Sequence, residues 1–284
     1  MKLLHCGNKR LNLSRPVVMG ILNITPDSFS DGGKLFSGTS PNMEKILRTA
    51  ENMISEGADI LDVGGESTRP GAAQVSEQEE LDRVLPVVDA LVERFDILVS
   101  VDTSKAAVIR GANACGAHMI NDVRALQEDG ALQAAADSGL PVCLMHMQNQ
   151  PDSMQRNPSY NNVVDEVLEF LLKRRVSCIG TGIKEEQILF DPGFGFGKTL
   201  AHNLALFKAL TRFVESGPVL VGVSRKTMIG QMLDLDTDDR LVGSVTMALL
   251  AAQSGASILR VHDVRETVQA LTVWENVKVK RTAD

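Results

Sequence analysis

Asn23, Asp62, Asp102, Asn121, Asp122, Met145, His146, Asp191, Ser224, Arg225, Lys226, Arg260 and His262 share one property. Each stands at or just past the end of a short apolar run. Aspartate and asparagine cap helices and start turns, so any one of them has an ordinary structural explanation. That explanation weakens over the whole set, because Lys226, Arg260 and His262 are not turn formers. Sorted by charge, Asp102, Asn121 and Asp191 supply acceptors, and Asn121 adds donors. Such a set suits a flat heterocycle with adjacent N–H groups, which one carboxylate accepts in parallel. Arg69, Lys226, Arg260 and His262 supply positive charge. The predicted ligands are a planar nitrogen ring and a phosphorylated group, held in one mouth.

The elements that must gather these side chains are legible in the pattern around them. The apolar runs cover residues 17–23, 60–63, 98–101, 119–122, 141–146, 188–191, 219–224 and 258–261. Most are continuous rather than alternating, as parallel strands covered on both faces require. Between them the period is helical. Leu81, Val84, Leu85, Val88, Leu91, Val92 and Phe95 form one stripe behind a capping box at Ser76–Glu79. Met43, Ile46, Leu47, Ala50, Met53 and Ile54 form another, with Ser40 predicted as N-cap and Pro41 as the first helical residue.

Eight strands alternating with helices predict a single (β/α)8 barrel over residues 1–284, its core spanning about 17–276. An open doubly wound sheet is the alternative. In a barrel all strand C-termini meet on one rim, and an anion commonly sits near the last two strands, beside Arg260 and His262.

Composition sets bounds on function. The chain has 284 residues, 44% of them hydrophobic, enough for one large core. Lys+Arg 29 against Asp+Glu 36 leaves a formal charge of −7, which excludes a nucleic-acid binder held by general electrostatics. No run approaches the ~18 apolar residues that span a bilayer. The opening apolar run is too short for a signal peptide. Four scattered cysteines without CxxC spacing read as reduced thiols in a cytoplasmic protein.

Three other patterns lead elsewhere. Gly193-Phe194-Gly195-Phe196-Gly197-Lys198-Thr199 ends like a phosphate-cradling loop, but that motif needs glycine where Pro192 stands. No GxGxxG follows a strand. The five histidines never fall at i, i+4, and no motif pairs one with a nucleophile, so His146 and His202 read as structural. The segments 23–33 and 64–71 are long, polar and rich in glycine, and they are expected to act as lids over the mouth.

At the motif level the chain is similar to the dihydropteroate synthases. The residues that carry the likeness are Met19-Gly20-Ile21-Leu22-Asn23-Ile24-Thr25-Pro26-Asp27-Ser28-Phe29-Ser30-Asp31-Gly32-Gly33 and Asp62-Val63-Gly64-Gly65-Glu66-Ser67-Thr68-Arg69-Pro70-Gly71. Val101-Asp102-Thr103-Ser104-Lys105, Ile120-Asn121-Asp122, the segment 191–198, Ser224-Arg225-Lys226 and Arg260-Val261-His262-Asp263 complete it. The resemblance runs from about residue 17 to 274, with none of the recognised motifs in 147–162 or the last ten residues.

It implies a TIM barrel of folate (tetrahydrofolate) biosynthesis. Such a transferase of alkyl groups joins 6-hydroxymethyl-7,8-dihydropterin diphosphate to 4-aminobenzoate with release of diphosphate. It also implies dependence on Mg²⁺, a homodimer and sensitivity to sulfonamides. Carried over by position, Asp102, Asn121, Asp191, Gly222 and Lys226 hold the pterin, with Met145 against its face. Thr68, Arg69, Pro70, Phe196 and Ser224 form the aminobenzoate side. Asn23 meets Mg²⁺, and Asn23, Arg69, Arg260 and His262 bind diphosphate. The implied catalytic set is Asn23, Arg69, Asp102, Lys226, Arg260 and His262, acting by dissociative substitution.

Two alternatives share the ring site: a pterin-dependent methyltransferase barrel feeding a cobalamin protein, and a non-catalytic pterin-binding paralogue. The first has no need of Ser224-Arg225-Lys226 or the Arg260/His262 pair, and no cobalamin-binding segment is present. The second should have lost Asn23, Arg69 or Lys226, and all three are kept.

Overall fold

Inward and outward side chains alternate along each strand of a parallel barrel, and that alternation builds the site. The structure is a computed structural model describing residues 3–25, 36–37, 40–67, 75–149, 154 and 157–277. Its elements are β1 (Leu3–Cys6), β2 (Lys9–Asn12), β3 (Val17–Asn23), β4 (Phe36–Ser37), β5 (Ser40–Pro41), α1 (Met43–Ser55), β6 (Ile60–Gly64) and α2 (Glu77–Arg94). There follow β7 (Leu98–Asp102), α3 (Ala106–Ala114), β8 (Met119–Asp122), α4 (Ala131–Ser138), β9 (Val142–Met145), α5 (Val163–Gly180) and β10 (Ile188–Asp191). The chain continues through α6 (Leu200–Lys208), α7 (Leu210–Ser216), β11 (Leu220–Val221), α8 (Thr227–Leu233), α9 (Leu241–Gln253), β12 (Ile258–Val261) and α10 (Val264–Val277).

The eight-stranded sheet has the order β10-β9-β8-β7-β6-β3-β12-β11, and a parallel bridge between Phe190 and Val219 joins its two ends. Followed around the ring, the strands come in chain order, which makes this a (β/α)8 barrel. The outward set includes Leu22, Leu61, Val63, Val99, Val101, Leu144 and Phe190, packed with the helices in one large core. The inward set at the strand starts is Met19, Ile60, Leu98, Met119, Cys143, Leu189, Leu220 and Ile258. Those side chains form a second apolar cluster with Leu4, Cys6, Leu11 and Leu13.

The antiparallel hairpin β1–β2 thus plugs the barrel floor. This hairpin lies ahead of the core expected from about residue 17 and is not foreshadowed in the apolar pattern. A four-residue strand with alternate exposure leaves too little apolar run to stand out.

Local details differ where capping chemistry decides. The N-cap of α1 is Asn42, whose side chain accepts from Lys45 N at 3.1 Å, and not Ser40. Ser40 and Pro41 instead pair with β4. Ser76 caps α2 as expected, accepting from Glu79 N at 3.2 Å. The eighth-strand count is met, but β11 is only two residues long, because 222–224 leave the sheet to turn into the mouth.

Candidate active site

Two residues beyond five of the eight apolar floor positions, the same inward face carries a polar group, while Ile21, Met145 and Gly222 follow Met19, Cys143 and Leu220. Ile60 is followed by Asp62, Leu98 by Ser100 and Asp102, Met119 by Asn121, Leu189 by Asp191, and Ile258 by Arg260. Period two therefore stacks a polar layer directly on the floor.

Arg260 lies within this layer. Its Nε donates to Asp62 Oδ2 at 2.6 Å and its Nη2 to Asp102 Oδ2 at 2.9 Å. Asn121 Nδ2 donates to the same Asp62 oxygen at 3.1 Å. Burial opposes the Arg260 charge, but Asp62 and Asp102 outweigh it and hold the guanidinium above its ordinary range. Burial pushes Asp102 up to about 7, while Arg260 pulls the other way and Asp62 adds to the rise. Asp62 is wholly buried, and among the described residues neither its Oδ1 nor Ser100 Oγ on the adjacent strand has a hydrogen-bond partner.

Asp191 faces the same lumen from the far wall. Its Oδ1 accepts from Gly193 N at 2.7 Å, and burial raises it against the pull of Lys226. Half-buried Lys226 donates to the Phe194 carbonyl at 2.5 Å and stands 4.6 Å above the Phe196 ring. Burial lowers Lys226 to about 8, with Asp191 opposing. A Cβ at Gly222 would lie 3.9 Å from Lys226 Nζ and 3.8 Å from Arg260 Cβ, so this glycine separates the two cations.

At the mouth, a Cβ at Gly64 would lie 3.7 Å from Asn23 Oδ1 and 3.8 Å from Asp102 Oδ2, so these oxygens flank one spot. Ser224 Oγ sits 3.1 Å from His262 Nδ1 and accepts from His262 N at 3.2 Å. No sequence motif pairs these two, since strand adjacency brings them together. Arg225 adopts a left-handed backbone at φ +56° and pairs with Asp263 at 2.5 Å, away from the lumen. That turn lets Ser224 and Lys226, its neighbours, both serve the mouth.

The expected set therefore falls into three groups. Asn23, Asp102, Asn121, Met145, Asp191, Gly222, Phe196, Lys226 and Arg260, with Ser224 and His262 beside them, line one lumen and its rim. Thr68, Arg69 and Pro70 lie outside the described residues, as do most of the segments expected to form lids. Asp122 turns away from the lumen, as its capping chemistry allows: wholly buried, it accepts from Ser104 Oγ, from Arg124 N at 2.8 Å and from Leu126 N at 2.7 Å.

Sequence reasoning ranked Asp62 among strand ends but gave it no role. Its place two residues after an inward isoleucine was the available signal. It also passed over Glu66. This carboxylate meets Lys105 at 2.5 Å and Arg124 at 3.0 Å, while Lys105 also pairs with buried Glu80. That network ties the foot of the 64–76 segment to the next two βα units.

His202 is structural as expected, completing the α6 capping box with Thr199. His146 is buried at the end of β9, lowered to about 3 by burial and by Lys198. Among the described residues, no group of three or more His, Cys, Asp or Glu is arranged to hold a metal ion, and no helix is long and apolar enough to cross a membrane.

Comparison with known proteins agrees with this geometry. Residues 19–262 match the family model described as pterin binding enzyme. The chain is 55% identical to the dihydropteroate synthase of Haemophilus influenzae over 273 residues, covering 96% of this chain and 98% of that protein. Among solved structures it is similar to Yersinia pestis dihydropteroate synthase in a sulfonamide drug complex, at TM-score 0.92 and 54% identity, with 96% and 98% of the two chains covered. It is also similar to the Xanthomonas albilineans dihydropteroate synthase with 4-aminobenzoic acid, at TM-score 0.89 and 50% identity over 97% and 98% of the chains.

Proposed function

Because the chain belongs to the pterin-binding enzyme family, among its dihydropteroate synthases, we propose that it joins 6-hydroxymethyl-7,8-dihydropterin diphosphate to 4-aminobenzoate and releases diphosphate. The observation that carries this reading is the polar layer, in which carboxylate, amide and two cations converge in one lumen above an apolar floor.

Asp102, Asn121 and Asp191 offer acceptors and donors to the ring nitrogens of the pterin, with Lys226 beside them and Met145 against one face. Arg260 reaches the leaving group from the lumen wall, and His262 from the rim. Thr68, Arg69, Pro70, Phe196 and Ser224 make the aminobenzoate side, a role supported by sequence likeness for the first three.

The amine of aminobenzoate is a weak nucleophile, since its lone pair is delocalised into the ring. A dissociative route follows. The methylene C–O bond breaks with its electron pair leaving on diphosphate, the pterin shares the positive charge, and the amine nitrogen then bonds to carbon and loses its proton to solvent. Cationic groups preorganised where negative charge develops lower that barrier. The Asp102 carboxylate favours the carbocation.

Mg²⁺ suits this site as an ion brought with the substrate. Asn23 would offer one side-chain oxygen at the mouth, beside Asp102 Oδ2, and Mg²⁺ is ordinarily held by one or two carboxylates together with substrate phosphates and water. When bound, it supplies further positive charge against the departing diphosphate.

The deciding experiment is diphosphate release by the purified chain, with and without aminobenzoate and Mg²⁺. Release that requires both supports the reading, and release indifferent to aminobenzoate would indicate a diphosphate hydrolase instead. Sulfonamides, as aminobenzoate mimics, are expected to compete in the same assay.

Two titrating groups at the site give a second expectation. Pterin binding needs ionised Asp102, pushed up to about 7, and protonated Lys226, lowered to about 8. The catalytic form is thus lost to protonation on the acid side and to deprotonation on the alkaline side. A profile of kcat/KM for the pterin substrate should be a narrow bell between the two, reporting apparent values of the coupled groups. Lys226→Gln should abolish the alkaline limb, and a profile flat through neutrality would contradict the assignment.

The homodimer implied by the family is supported by exposed Val242 and Leu250 on α9 and Val273 and Val277 on α10. All four cysteines are free thiols, in keeping with a cytoplasmic location.

A further inference from the structure

The segment from Gly193 to Lys198, which ends like a phosphate-cradling loop, is built the opposite way: carbonyls, not amides, point into it. Lys198 is 3% exposed. Its Nζ donates to His146 O at 3.1 Å, Gly193 O at 2.9 Å and Phe196 O at 2.9 Å, and lies 3.0 Å from His146 Nδ1. Burial drives Lys198 well below its ordinary range, with Asp191 opposing, but the three carbonyl acceptors call for three N–H donors, which an ammonium has and a neutral amine lacks. The loop thus encloses a cation supplied by its own chain.

Its glycines allow that closure. Gly193 and Gly197 have φ of +71° and +62°, and a Cβ would come 1.9 Å from His146 O at the first and 2.6 Å from Gln148 O at the second. The other side of the same loop meets Lys226, through the Phe194 carbonyl and the Phe196 ring. Between them Gly195, at φ +82°, would place a Cβ 3.3 Å from Lys226 Cδ. Two lysines therefore flank one short loop, one sealed inside it and one resting on it.

We propose that Lys198 is a positioning residue, an internal cation that holds loop 193–198 in the shape that aims Lys226 into the pterin site. The proposal rests on the reading of Lys226 as a pterin contact, and its test separates the two. Lys198→Ala, Lys198→Met and Lys226→Ala are assayed as full-length chains for kcat and for the KM of each substrate, with and without methylammonium.

Displacing a binding group by about an ångström costs roughly 10²-fold. Lys198→Ala is therefore expected to lose about 10²-fold in kcat/KM, carried by the KM for the pterin substrate, with the aminobenzoate KM near its parental value. Methylammonium should restore part of that loss in Lys198→Ala, where it has room to bind among the carbonyls. It should restore none in Lys198→Met, whose stem fills the space.

A parental pterin KM in both Lys198 variants, beside an impaired Lys226→Ala, would overturn the positioning role alone. A parental pterin KM in Lys226→Ala would overturn the site reading. Equal losses for both substrates without amine rescue, or failure of both Lys198 variants to fold, would make Lys198 a general structural cation and end the proposal.

Discussion

Arg260→Ala should lower turnover by about 10²–10³-fold, the range for loss of one preorganised donor at a developing negative charge. The structure adds a second consequence. Arg260 bridges Asp62 and Asp102 inside the lumen, and Asp62 is wholly buried. Removing the guanidinium leaves these carboxylates facing each other without a counter-charge. Breaking one side of a buried ion pair costs about 3–5 kcal/mol, so the variant should also unfold at markedly lower denaturant. Diphosphate release, normalised to folded protein, measures the first effect, and denaturant melts measure the second. Arg260→Lys keeps the charge but lacks the planar fork needed to meet both oxygens, and should recover only part of either. Near-parental turnover in Arg260→Ala would remove the argument for leaving-group stabilisation.

Asp191→Asn should weaken binding of the pterin substrate about ten- to 100-fold, equivalent to roughly 1.5–3 kcal/mol for hydrogen bonds to a charged group. One carboxylate oxygen already accepts from Gly193 N. The other is left for a ring N–H, and an amide cannot serve both partners, because one of its two ends is a donor. The buried ring would then meet an N–H with an N–H, the costly arrangement. The change also removes the negative charge that Lys226 faces. Isothermal titration with the pterin substrate reads this directly. Unchanged affinity would place the ring elsewhere in the lumen.

Both expectations depend on a site that was only partly legible beforehand. The strand ends, the acceptor set and the cations were readable because a parallel strand is an apolar block, and the first charged residue after it marks the rim. Asp62 and Arg260 show the limit of that reading. Both were seen as strand-end residues, but their pairing across 198 positions of sequence follows only once β6, β3 and β12 lie side by side. Asp122 shows the converse. It follows Asn121 directly, so the pleat turns it to the other face, where it caps a turn instead of meeting a ligand. Pro192 breaks the phosphate-loop motif that Lys198 would complete, and nothing local reveals that its ammonium is enclosed by its own loop.

The amino-acid sequence by itself determined the strand and helix series, the fold class and the chemical types available at the rim, since these follow from periodicities of two and 3.6 residues and from where apolar runs stop. Tertiary structure alone decided which rim groups neutralise one another, which face the lumen, and that a terminal hairpin seals the floor. The physical reason is that burial and charge pairing are properties of neighbours in space. A closed barrel makes neighbours of strands far apart in the chain.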